Sequence, residues 1–158
     1  MRDRLAMQRQ VFFVSTGGFD SHDDQLINQP NLLSNISACL KAFYDATFEL
    51  GVANAVTTFT QSDFGRTLTS NGDGTDHAWG GVQVVVGQSV RGRQIFGRYP
   101  SLALNGPDDV GGGRMIPGVS ADQYAATLAR WFGIADAELS RVAPYIGNFA
   151  QRDLGFMI

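Results

Sequence analysis

The 158-residue chain has two histidines, and each stands near aspartate: Asp20 and His22 in "GGFDSH", Asp76 and His77 in "TDHAWGG". Carboxylate oxygens and neutral imidazole nitrogens form the donor set that suits zinc, and with more oxygen also manganese, calcium or magnesium. A further acid, Asp63, lies in "QSDFGRT". Asp20, His22, Asp63, Asp76 and His77 are therefore the candidate ligands of a divalent metal. An Asp-x-His step on a loop can turn both side chains to one side, and the glycines beside it let the backbone bend tightly. Phe64 and Trp79 are placed to wall the site and strengthen its electrostatics.

Taken singly, each of these residues has a blander reading, because an Asp beside Gly starts turns and a loop His satisfies backbone groups. Together they favour a site. Other motifs are missing: "NGDGTDH" lacks the sixth-position glycine and final glutamate of an EF-hand loop. There is no G-x-S-x-G elbow, Walker loop or G-x-G-x-x-G after a strand, which leaves acyl hydrolysis, nucleotide hydrolysis and dinucleotide binding without support. Ser15, Thr16, Ser21 and Ser62 are nucleophile candidates by position only.

Positioning such a site falls to the apolar segments around it. Residues 10–16, "QVFFVST", read as a strand buried on both faces. From Asn31 to Gly51 the spacing of Leu33, Ile36, Leu40, Phe43 and Phe48 predicts a helix, and residues 54–60 and 82–87 predict two more strands. Strand, helix and strand in this order make a right-handed parallel unit, so the expected fold is α/β. In a parallel sheet ligands bind beyond the carboxyl ends of the strands, where Asp20, His22 and Asp63 would lie, with Asp76 and His77 in a long connection after the second strand. A short strand is expected around Ser101–Leu104, a helix with a Ser120–Gln123 capping box ending at Gly133, and a shorter helix from Asp136 carrying Leu139 and Val142. The aromatics of the tail "IGNFAQRDLGFMI" look exposed and in need of a covering surface.

Length and composition suit one soluble domain over residues 1–158: 44% of residues are hydrophobic and 17% charged. Twelve basic and fifteen acidic residues give a net charge of -3, with the basic ones scattered, which argues against nucleic acid. Arg91 to Arg93, "RGR", is too short for a polybasic segment and reads as a solvated face. Cys39, the single cysteine, has no disulfide partner and reads as a small packed side chain. No run is long enough for a membrane span, and "MRDRLAMQRQ" resembles the end of an amphipathic helix rather than a signal peptide. The chain is expected to begin mid-domain.

The segments "RQVFFVSTGGFDSHDDQ", "GVANAVTTFTQSDFGRTLTSNGDGTDHAWGG", "RGRQIFGRYPSLALNGPDD" and "ADQYAATLARWFG" together cover nearly the whole chain. They resemble bacterial proteins of unknown function exported by the twin-arginine route and grouped with the alkaline phosphatase and sulfatase superfamily. The resemblance implies a three-layer sandwich with a mainly parallel sheet, of which this chain would be the C-terminal part. It implies a periplasmic or exported location for the full-length protein and two metal ions held by Asp and His at strand ends. Asp20 and His22 would form one ligand cluster, Asp63 the acid of the next strand, and His77 with Asp76 the late histidine. Arg66 would hold the substrate anion, since a guanidinium matches tetrahedral oxyanions bidentately. Superfamily enzymes often have Asp-His where this chain has Asp63-Phe64, so one expected ligand is missing. Full-length relatives are about two to three times as long, and their N-terminal half supplies an early metal-binding acid and the nucleophile.

Two functions follow as expectations. One is a metal-dependent hydrolase portion acting on small phosphate or sulfate esters, inactive by itself. The other is a noncatalytic exported binding or scaffold domain. In either case the missing N-terminal half, or a second copy, would cover an exposed sheet edge.

Overall fold

The computed structural model describes residues 8–158. The predicted helix end in "MRDRLAMQRQ" falls largely on residues 1–7, outside the described residues. Helix α1 spans Gln25–Glu49, beginning before the predicted Asn31 and running through Pro30. It ends where the sequence predicts, with Leu50 N–H bonded to Ala46 O and Gly51 in the left-handed region at φ 67°. The strands that follow are short: β1 Thr57–Phe59, β2 Gly65–Ser70, β3 Thr75–Ala78 and β4 Val85–Gly87.

The pairing of these strands overturns the expected three-layer sandwich with a mainly parallel, alkaline phosphatase-like sheet. Among the described residues there are two two-stranded sheets, both antiparallel. Thr57 faces Gly87 and Phe59 faces Val85 across β1 and β4, while β2 and β3 form a hairpin. Residues 10–16 form no strand, nor do residues 101–104. Val11, Phe12, Phe13 and Val14 are 75–91% exposed. The physical reason is that a strand apolar on both faces needs neighbours at both edges and layers above and below. Here β1 is paired by β4, and no other strand among the described residues reaches residues 10–16. The accessible surface, 11124 Å², exceeds the about 7,700 Å² expected of a compact monomer of this mass by roughly 3,000 Å². Helix α1 contributes to the excess, burying only Gln25 and Thr47 and exposing Leu26, Ile27, Leu33, Phe43 and Phe48.

The core lies instead around the second helix, α2, Ala121–Phe132. Ser120 Oγ accepts from Gln123 N–H, and Gln123 Oε1 accepts from Ser120 N–H, the reciprocal cap read from the sequence. Gly133 stops the helix at φ 97°, a left-handed conformation that glycine adopts without a Cβ penalty. One side of α2 packs Ala126 against Leu139, Ala143 and Ile146. The other packs Leu128 against Leu154 and Phe156, with Val85, Phe96 and Tyr124 beside them. The shorter helix from Asp136 is a 3₁₀ segment, Asp136–Arg141, which buries Leu139 but leaves Val142 half exposed. The tail needs no outside cover at Leu154 and Phe156, which are 8% and 3% exposed, because both pack against Leu128 of α2. Cys39, expected to be packed, is exposed on α1.

Candidate functional site

The site is built by docking the β2–β3 hairpin against the loop that leads into α1. The segment between residues 60 and 82 is thus folded rather than a structureless connection. Its turn, Asn71–Gly74, carries its own bonds: Asn71 Oδ1 accepts from Gly74 N–H at 2.9 Å and Gly74 O accepts from Asn71 N–H at 3.0 Å. This turn then meets residues 22–25. Asn71 Nδ2 donates to His22 O at 3.1 Å, Gln25 N–H donates to Asp73 O, and Thr75 Oγ1 donates to the buried Gln25 Oε1 at 2.8 Å. Gly74 permits the approach: a Cβ there would lie 2.6 Å from His22 O and 2.7 Å from its carbonyl carbon. Any other residue would push the two segments apart.

Docking brings Asp20, His22 and His77 together, with one ligand atom from each within 4.8 Å of the others. Asp20 Oδ1 lies 2.7 Å from His77 Nε2 and 3.2 Å from His22 Nε2. A carboxylate oxygen facing two imidazole nitrogens needs either protons or a cation between them, and the 2.7 Å contact is of hydrogen-bond length. The donor chemistry suits a zinc-like ion, which would need the three ligand atoms to move to about 3.3 Å from one another. The His77 contact is the main cause that holds the Asp20 carboxyl below the usual carboxylate range, with the charges of His77, His22 and Arg66 adding to it. The cluster is open to solvent, with side-chain exposures of 64% for Asp20, 50% for His22 and 44% for His77.

The other candidate ligands fall in different places. Asp76 Oδ1 lies 3.4 Å from His22 Nδ1 and accepts from Asn71 Nδ2 at 3.2 Å. It thus meets the ring nitrogen of His22 opposite to the one facing Asp20, and lies outside the three-residue group. Asp63 is exposed and outside the three-residue group. Trp79, expected to wall the site, is 66% exposed. Phe64 does wall it: its ring stacks on His77 at 3.8 Å between centroids and 8° between planes, and His22 stacks on His77 at 4.9 Å. Arg66 Nη1 donates to Thr75 O at 2.8 Å and Nη2 donates to Phe19 O. Its guanidinium lies 5.2 Å from the Phe64 ring centroid.

Sequence reasoning did not reach Asn71, Gly74 or the hairpin itself. The signal was present in "SNGDGT", where Asn-Gly and Asp-Gly mark tight turns between strands. A family model described as "Protein of unknown function (DUF1501)" matches residues 1–141. No curated protein and no solved structure matches the chain.

Proposed function

The chain belongs to the DUF1501 family of proteins of unknown function, and on that premise we propose that it is the metal-holding portion of an exported hydrolase of phosphate or sulfate esters. The observation that carries the reading is the convergence of Asp20, His22 and His77 from two distant segments onto one point. Asp20, His22 and His77 would hold a divalent ion, zinc above manganese, calcium or magnesium because two of the three donors are imidazole nitrogens. Bound there, the ion supplies Lewis acidity toward a phosphoryl or sulfuryl oxygen. Asp76 Oδ1, 3.4 Å from His22 Nδ1, would favour the tautomer with the proton on Nδ1 and so leave Nε2 to ligate. The Arg66 guanidinium has five N–H donors, and those not bonded to Phe19 O and Thr75 O are available to a substrate anion. The open face of the cluster admits a small anionic ester.

The attacking group would come from solvent or from a polypeptide that covers residues 10–16 and the apolar face of α1. That covering chain would be an N-terminal half or a second copy, and the roughly 3,000 Å² of surplus surface is enough for a stable interface of either kind. We place the full-length protein in the periplasm or outside the cell. No helix among the described residues is long and apolar enough to cross a membrane.

A second reading, a noncatalytic binding or scaffold domain without a full metal site, is favoured by one observation: Phe64, next to Asp63, stacks on His77 and offers no ligand atom. The experiment that separates the readings is metal analysis of the purified chain, followed by assays with generic phosphate and sulfate monoesters. Stoichiometric metal with turnover supports the hydrolase. A chain that takes up no metal refutes it and supports the scaffold, and metal without turnover refutes the hydrolase alone.

A further inference from the structure

The three ligand side chains come from two segments that are far apart in sequence, and side-chain chemistry alone does not hold those segments in register. Asp20 and His22 sit on the loop before α1, His77 on β3. Arg66 stands on β2 directly opposite His77 in the hairpin register. Its guanidinium reaches both segments: Nη1 donates to Thr75 O, two residues before His77, and Nη2 donates to Phe19 O, next to Asp20. The same group lies over Phe64, which in turn stacks on the imidazole of His77. A cation, a benzyl ring and an imidazole are thus layered beside the ligand cluster, and the outermost layer is tied to the backbone on both sides.

Resting on the metal-site reading above, we propose that Arg66 is a positioning residue of the metal centre, clasping Phe19 O to Thr75 O and setting the plane of His77 through Phe64. Two donors of a rigid planar fork serve two carbonyls at once, which the point charge of a lysine ammonium cannot reproduce. The fold does not depend on the clasp. Asn71 with His22 O, Gln25 N–H with Asp73 O, and Thr75 with Gln25 continue to hold the hairpin to the loop without it. The proposal therefore separates two roles for one residue. An arginine that only binds substrate anion leaves metal affinity untouched when it is replaced, and a clasp does not.

The test is zinc affinity of the full chain, measured by competition with a chromophoric chelator, for the native protein, Arg66→Lys, Arg66→Gln and Phe64→Leu, all carrying Cys39→Ala because the exposed thiol could bind zinc by itself. Each protein is also melted in EDTA and its cobalt(II) spectrum recorded at saturation. Loss of groups that orient ligands typically weakens a metal site by about 10–100-fold, and that loss is expected for both Arg66 variants, with cobalt bands shifted in position. Phe64→Leu should weaken binding less, since the clasp remains. Lysine failing to rescue, while the melting temperature in EDTA stays near native, supports positioning. Native zinc affinity and an unshifted cobalt spectrum in both Arg66 variants would overturn it. If the native protein itself binds no zinc, the metal-site reading falls first and this inference falls with it.

Discussion

His77→Ala is the most direct perturbation of the site, and its size follows from the ligand count. Structural zinc sites with four protein ligands bind with apparent free energies of about 10–16 kcal/mol, or roughly 3 kcal/mol per ligand. Removing one of the three donors at Asp20, His22 and His77 should therefore weaken zinc by about 3 kcal/mol, roughly a hundredfold in Kd. The same change deletes the contact with Asp20 and the stack on Phe64. Both are near the surface, where such pairs contribute little, so the melting temperature without metal should fall by only ~3 °C. Cys39 is exposed and could bind zinc by itself, so the titration belongs in a Cys39→Ala background. Chelator competition or isothermal titration gives the affinity, with Asp63→Asn as the internal control because Asp63 lies outside the cluster. Equal zinc affinity in the background protein and the His77→Ala variant would refute the reasoning. So would a hundredfold loss in Asp63→Asn, since the ion would then sit elsewhere.

Three further outcomes follow from the structure. Leu139 is 2% exposed and fills the space between Ala126, Ala143 and Ile146, so Leu139→Ala should cost about 3 kcal/mol and lower the calorimetric melting temperature by roughly 10 °C. Ser120→Ala removes half of the reciprocal cap of α2 and should cost about 1 kcal/mol, with Ser120→Gly milder, as read by urea denaturation. Asp108 is held at about 2 against the usual 3.8, chiefly by its paired bonds to Arg98 and also by Ser101 N–H. Its native value is depressed, so its contribution is present above pH ~4 and is lost as pH falls toward 2. Melting temperatures between pH 5 and pH 2 should therefore drop more steeply in the native protein than in Asp108→Asn.

What could be read from the sequence was what neighbouring residues decide among themselves. The Ser120–Gln123 cap, the Gly133 stop and the Gly51 stop are settled within one helical turn, and all three stand where the sequence places them. Residues 10–16 fared differently, because their composition states which environment would suit them and not whether the chain provides it. Thr57–Phe59 and Val85–Gly87 were recognisable as extended, yet their antiparallel partnership depends on a long-range choice that composition does not encode. The site shows the same division. The residue types of Asp20, His22 and His77 marked them as candidate ligands, and a hairpin rather than parallel strand ends brings the three together. The contact of Asp76 with His22 depends on register, and the double bonding of Arg66 depends on where the Phe19 carbonyl comes to rest.

The solvent-facing "VFFV" at Val11–Val14 has a practical consequence for anyone handling this polypeptide. A charge-free, proline-free stretch of β-branched and aromatic residues is a nucleus for cross-β stacking when nothing shields it. Concentration and storage time therefore set the lifetime of dispersed molecules, and a lysine placed at Phe13 would act as a gatekeeper that lengthens it.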